Sequence, residues 1–159
     1  MRRASMAVGV LFMLGSVVHF AQVTPAGNPM LGTWKLEPAK SRFSPGPALK
    51  SQTAKLAAVD GGLKVVVDRI DSDGTPTHFE RTAKFDGKDY PVKGDPGRDA
   101  VSVRKLDDYT LEITNKKAGR VTTTIRAVYA HDGKSRTETT TGTTPQGQKI
   151  ENVTVWSKQ

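Results

Sequence analysis

The chain contains no cysteine, so no disulfide frames the fold and no lipid can be attached through a thiol. Histidine is nearly as scarce, three in 159 residues, and without cysteines or clustered histidines there is no pattern for a metal centre. Beyond the N-terminal segment, His78 has outward strand parity and His131 belongs to an HDG turn. Aromatics make up only 6% of the chain, too few to build a stacking platform for single-stranded nucleic acid. The formal net charge of +8 is scattered along the strands in short pairs such as Arg104-Lys105 and Lys116-Lys117. A nucleic-acid binder would gather that charge into a stripe, so the excess reads as solubility. No metal, cofactor or nucleic acid is expected.

The first residues read MRRASMAVGVLFMLGSVVHFA: two arginines, an apolar run from Ala7 to Phe20, then small residues. That order is the one found in secretory signal peptides, and the run is shorter than the ~20 residues a spanning helix needs. The expectation is a signal-peptide helix over 1–25, a single domain over 26–159, no membrane span after cleavage, and a periplasmic or secreted monomer. An uncleaved anchor is the alternative.

Past this segment the chain is punctuated by turns. Asp60-Gly61, Asp73-Gly74 and Asp86-Gly87 recur at even spacing, and Asp95-Pro96-Gly97, Ala118-Gly119 and Asp132-Gly133 continue the series. Asp-Gly marks a hairpin because glycine supplies the positive φ of a tight turn. The runs between turns, such as LKVVVD and YTLEIT, have strand composition. Arg69 to Glu80, RIDSDGTPTHFE, imitates a calcium loop, but Arg69 stands where the first oxygen ligand should be and the flanks alternate as strands. It reads as a hairpin turn.

About ten runs result, near 31–37, 50–59, 63–71, 76–84, 88–92, 99–106, 109–117, 120–131, 134–143 and 148–158. Their connections are too short for parallel crossovers, and an antiparallel meander of this size avoids bare edges by closing on itself. The predicted fold is therefore all-β: an antiparallel up-and-down β-barrel of about ten strands. A two-sheet sandwich is the competitor. Only Glu37 to Lys50, with three prolines, is clearly not strand; it reads as an irregular arm with one helical turn near Pro38 to Arg42.

Two end motifs resemble a known superfamily. GTWKL at Gly32 to Leu36 is similar to the opening of the calycins, the lipocalins and fatty-acid-binding proteins, in which G-x-W starts the first strand and the tryptophan plugs one end of the barrel. NVTVWSKQ from Asn152 resembles the closing strand of the fatty-acid-binding branch. The resemblance implies a lipocalin-like barrel with an internal cavity, in an exported bacterial member. Two features of that branch are missing: the helical lid between the first two strands, and the arginine and tyrosine that hold a ligand carboxylate on the last strand, where Thr154 and Trp156 stand instead.

Alternation along each strand predicts the lining. Leu63, Val65 and Val67 share one face, as do Val121, Thr123, Ile125, Ala127 and Tyr129, and as do Phe79, Ala83 and Phe85. Arg81 falls on that last, apolar parity, where it meets a carboxylate, caps one end, or awaits an anionic ligand. Trp34 reads as a plug; Tyr129 and Trp156 read as rim core with polar handles. Thr137 to Thr144 is polar on both faces, which suits a solvated cavity wall or an exposed edge. The candidate ligand-contacting residues are Trp34, Phe79, Arg81, Thr123, Tyr129 and Trp156, with Arg81, Tyr129 and Thr123 orienting the ligand. No base is aimed at a hydroxyl, so no catalysis is expected. The predicted function is non-catalytic binding of a small apolar or amphipathic molecule; a structural or protein-interaction module with a self-filled barrel is the alternative.

Overall fold

A computed structural model of the chain describes residues 27–159 apart from Pro145. The expected signal helix lies outside these residues. Ten strands follow in order: β1 (Gly32–Leu36), β2 (Ser51–Val59), β3 (Gly62–Ile70), β4 (Pro76–Lys84), β5 (Tyr90–Lys93), β6 (Ala100–Asp107), β7 (Thr110–Lys117), β8 (Arg120–Tyr129), β9 (Ser135–Thr143) and β10 (Lys149–Lys158). Each pairs antiparallel with its sequence neighbour, and β1 also pairs with β10, closing the barrel. Closure pairs both terminal strands, and unpaired edge remains where β4 and β6 run past the short β5. The calcium-like stretch is the β3–β4 hairpin: the Asp71 and Gly74 amides donate to Thr75 and Asp71 carbonyls, and the Asp73 carboxylate takes the Thr75 amide at 2.8 Å.

One end of the barrel is plugged. Trp34 is 0% exposed, donates its indole N–H to the Met30 carbonyl at 3.0 Å, and meets Tyr129 edge-on at 5.3 Å between centroids. Residues 28–31 fold under this floor, tied down by the Lys158 ammonium on the Pro29 carbonyl. Inside, Leu56, Leu63, Val65, Val67, Phe79, Ala83, Val103, Leu111 and Ile113 form one contiguous apolar core with the floor residues, as the inward parity requires.

The other end is the mouth, and the proline-rich arm crosses it. After a 3-10 turn at Pro38–Lys40, the arm runs beside β10: Arg42 bridges Val153, the Ser44 amide donates to Asn152 Oδ1 at 2.8 Å, and the Val155 amide donates to Ser41 Oγ at 3.0 Å. Phe43, Pro45, Pro47 and Leu49 then face the interior.

Parity along β8 is interrupted. Asn115 pairs with Thr123 while Lys116 pairs with Val121, so Thr122 is an extra residue in a β-bulge. The bulge resets the alternation, and Val121, expected inward with Thr123, is 59% exposed.

Strand β5 is the short one. It pairs through two positions with β4 and two with β6, and the Asp95–Arg98 loop fills the gap above it. Gly94 opens that loop at φ +86°, and a β-carbon there would collide with the His78 carbonyl oxygen. Gly94→Ala is expected to lower stability by more than about 1 kcal/mol, read as a shift in the urea midpoint at unchanged m-value.

Candidate functional site

The barrel encloses a cavity of about 340 Å³ between the aromatic floor and the arm. Its walls differ. Strands β2 to β4 and β6 contribute mainly Leu, Val, Ala and Phe, whereas β7 to β10 interleave apolar side chains such as Leu111, Ile113 and Ile125 with polar ones such as Asn115, Thr123 and Thr140. The threonine-rich β9 is thus a cavity wall rather than a free edge, because Glu138 and Thr140 point in while β8 and β10 flank the strand on both sides.

Four guanidinium groups line this space: Arg69, Arg81, Arg98 and Arg136. Three have carboxylate partners. Arg69 Nε is 2.8 Å from Asp71, Arg98 Nε is 2.8 Å from Asp95, and Arg136 Nη2 is 3.2 Å from Glu138. Arg98 and Arg69 also flank the Phe79 ring, at 5.0 and 5.9 Å from its centroid, a contact that offsets part of the desolvation of each cation.

Arg136 is the most enclosed of the four, at 5% exposure. It donates to the Tyr129 hydroxyl at 3.0 Å and sits 4.4 Å from the Trp156 ring and 5.2 Å from Trp34. Burial works against its charge, but Glu138 and Tyr129 outweigh that and hold its pKa above the usual value. Burial likewise pushes the Tyr129 phenol up, against the pull of Arg136. The floor is therefore an ion-paired aromatic cluster satisfied largely by its own residues.

Arg81 differs. Among the described residues no carboxylate lies within 4.0 Å of it, and its Nη1 is buried without a hydrogen-bond partner. What surface the side chain retains borders the cavity rather than the outer face of β4, whose neighbouring side chains Glu80 and His78 pair outward with Lys64 and Asp68. Desolvation, reinforced by the nearby Arg98 charge, pulls its pKa down to about 10. An unpaired buried cation is costly, and the more distant Glu138 and Tyr129 offset only part of that cost.

Of the residues nominated from the sequence, Phe79, Arg81, Thr123, Tyr129 and Trp156 line the cavity together. Trp34 does not; it lies behind Tyr129 as the plug. Arg136, Glu138, Asn115 and Arg98 were not nominated. Arg136 and Glu138 share parity with Thr140, but Thr137, Thr139 and Thr141 on the opposite parity are equally polar, so alternation alone cannot choose the inward face of β9. Arg98 comes from a loop, where alternation carries no signal.

Among the described residues no group of His, Cys, Asp and Glu is arranged to hold a metal ion, and no helix is long and apolar enough to cross a membrane. No protein-family model matches the chain, and no curated protein is similar enough to count as a relative.

Proposed function

We propose that this protein is a non-catalytic binder that holds one small amphipathic molecule inside a calycin-like barrel. The observation that carries the reading is the internal space of about 340 Å³, which falls within the size range of small-molecule sites and has their mix of apolar wall and a few directed polar groups. The mechanism is passive: Leu, Val and Phe side chains of β2 to β4 take the ligand's apolar part out of water, polar groups on β7 to β10 set its orientation, and the arm over the mouth shields it. The short apolar N-terminal run supports export to the periplasm or the medium.

Native mass spectrometry of protein purified without denaturation, paired with solvent extraction, tests this. A reproducible one-to-one adduct, absent from an Ala83→Phe variant whose added ring occupies the cavity, is the expected result. Reproducibly empty protein, together with no thermal shift from any small amphiphile, would establish the self-filled module instead.

A further inference from the structure

Among the described residues, five buried side-chain polar atoms have no hydrogen-bond partner: Arg69 Nε, Asp95 Oδ2, Arg81 Nη1, Arg136 Nε and Asn115 Oδ1. The first two each lie 2.8 Å from an opposite charge and are accounted for. The other three belong to residues that line the same cavity. Native interiors leave few such groups, because an unsatisfied buried donor or acceptor bears its full desolvation cost. Three of them around one space constrain the polar groups that an occupant would present.

Each asks for a definite chemistry. Arg81 and Arg136 offer N–H donors only, and Arg81 carries the one lining guanidinium charge without a carboxylate partner among the described residues. Arg81 therefore calls for an anionic acceptor, whereas Arg136, whose charge Glu138 already matches, lacks an acceptor at Nε alone. Asn115, only 2% exposed, donates its Nδ2 to the Thr123 hydroxyl at 2.9 Å and leaves Oδ1 free. Whichever way that amide is turned, one of its polar atoms lacks a partner, and a hydroxyl, being both donor and acceptor, completes it. The residues stand on separate walls, Arg81 on β4 and Asn115 on β7, with β5 and β6 between them. A simple fatty acid, polar at one end only, would satisfy Arg81 and leave Asn115 bare.

Resting on the reading of the barrel as an interior binder, we infer that its ligand is a compact hydroxy acid: one anionic group against Arg81, an apolar body on β2 to β4, and a hydroxyl directed at Asn115. A cavity of about 340 Å³, near the lower end of the range for small-molecule sites, calls for a compact molecule.

The test is a matched series titrated against the whole protein by calorimetry: 4-hydroxyphenylacetate, phenylacetate, the methyl ester of the first, and decanoate. The hydroxy acid is expected to bind at least about 10-fold more tightly than phenylacetate or the ester, since each of these strands one buried group. Arg81→Met should bring the acid-to-ester ratio close to one while leaving the hydroxyl preference in place, and Asn115→Leu should do the reverse. A merely structural role for either residue would lower all affinities together. Equal binding of decanoate and the hydroxy acid, or ratios unmoved by the two substitutions, overturns the inference while leaving the binder reading intact. No saturable binding of either aromatic acid also overturns it, and empty protein in the mass spectrum would remove the binder reading as well.

Discussion

Arg81→Met is expected to be more stable than the wild-type chain. Burial, the chief cause, pulls the arginine pKa down from its ordinary value to about 10 in the folded chain, so the folded state holds this charge less favourably than the unfolded one. At ~1.4 kcal/mol per pKa unit the shift corresponds to a ceiling of about 3 kcal/mol. Water in the cavity screens part of it, which places the expected gain at about 1–3 kcal/mol. Methionine keeps the length of the side chain and adapts to the site. The pH dependence has a definite sign: from about pH 10 up to the ordinary arginine range, the unfolded chain binds more protons at this position than the folded one. Wild-type stability therefore gains from this group as pH rises through that window, and Arg81→Met lacks the gain. Below pH 10 both states carry the proton and the penalty is constant. Urea unfolding at neutral pH and near pH 11 checks both statements. A residue that destabilises the empty barrel is one retained for what it binds, and a stability loss in Arg81→Met would contradict that role.

Arg136→Leu should act in the opposite direction, with a loss of about 3–5 kcal/mol. The substitution removes the partner 3.2 Å from Glu138, the donor to the Tyr129 hydroxyl and the cation beside Trp156, leaving the carboxylate in the barrel without its contact partner. The double variant Arg136→Leu/Glu138→Leu is expected to recover most of the loss, because replacing both members of a buried pair strands neither. The deficit of the single variant should also shrink in acid, as protonation discharges the stranded Glu138. Chemical denaturation of the two variants across pH gives both readings.

The fold was legible because its signals are local. Aspartate-glycine and glycine-containing turns fall between β-branched runs, and the observed strands coincide with those runs to within a residue or two at most ends, as in β4 at Pro76–Lys84. Closure followed from edge chemistry. The candidate site was legible only where one strand face is plainly apolar: Arg81 stood out because Phe79 and Ala83 share its face. On β9 both faces are polar, so Arg136 and Glu138 gave no such contrast, although they organise the floor. Val121 misled because a bulge at Thr122 shifts the register, a tertiary adjustment that composition does not mark. Arg98 reaches the cavity from a loop whose path is set by the shortness of β5 and by Gly94, which no periodicity reports.

If the interior is a site with a charge waiting to be matched, crystallography on protein prepared without denaturation tests it most directly. Continuous density for a single small molecule within the cavity, with an acidic group in hydrogen-bond contact with Arg81, is the expected result. Density showing Phe43 and Leu49 packed down onto the floor, with Arg81 turned out to solvent, would contradict it.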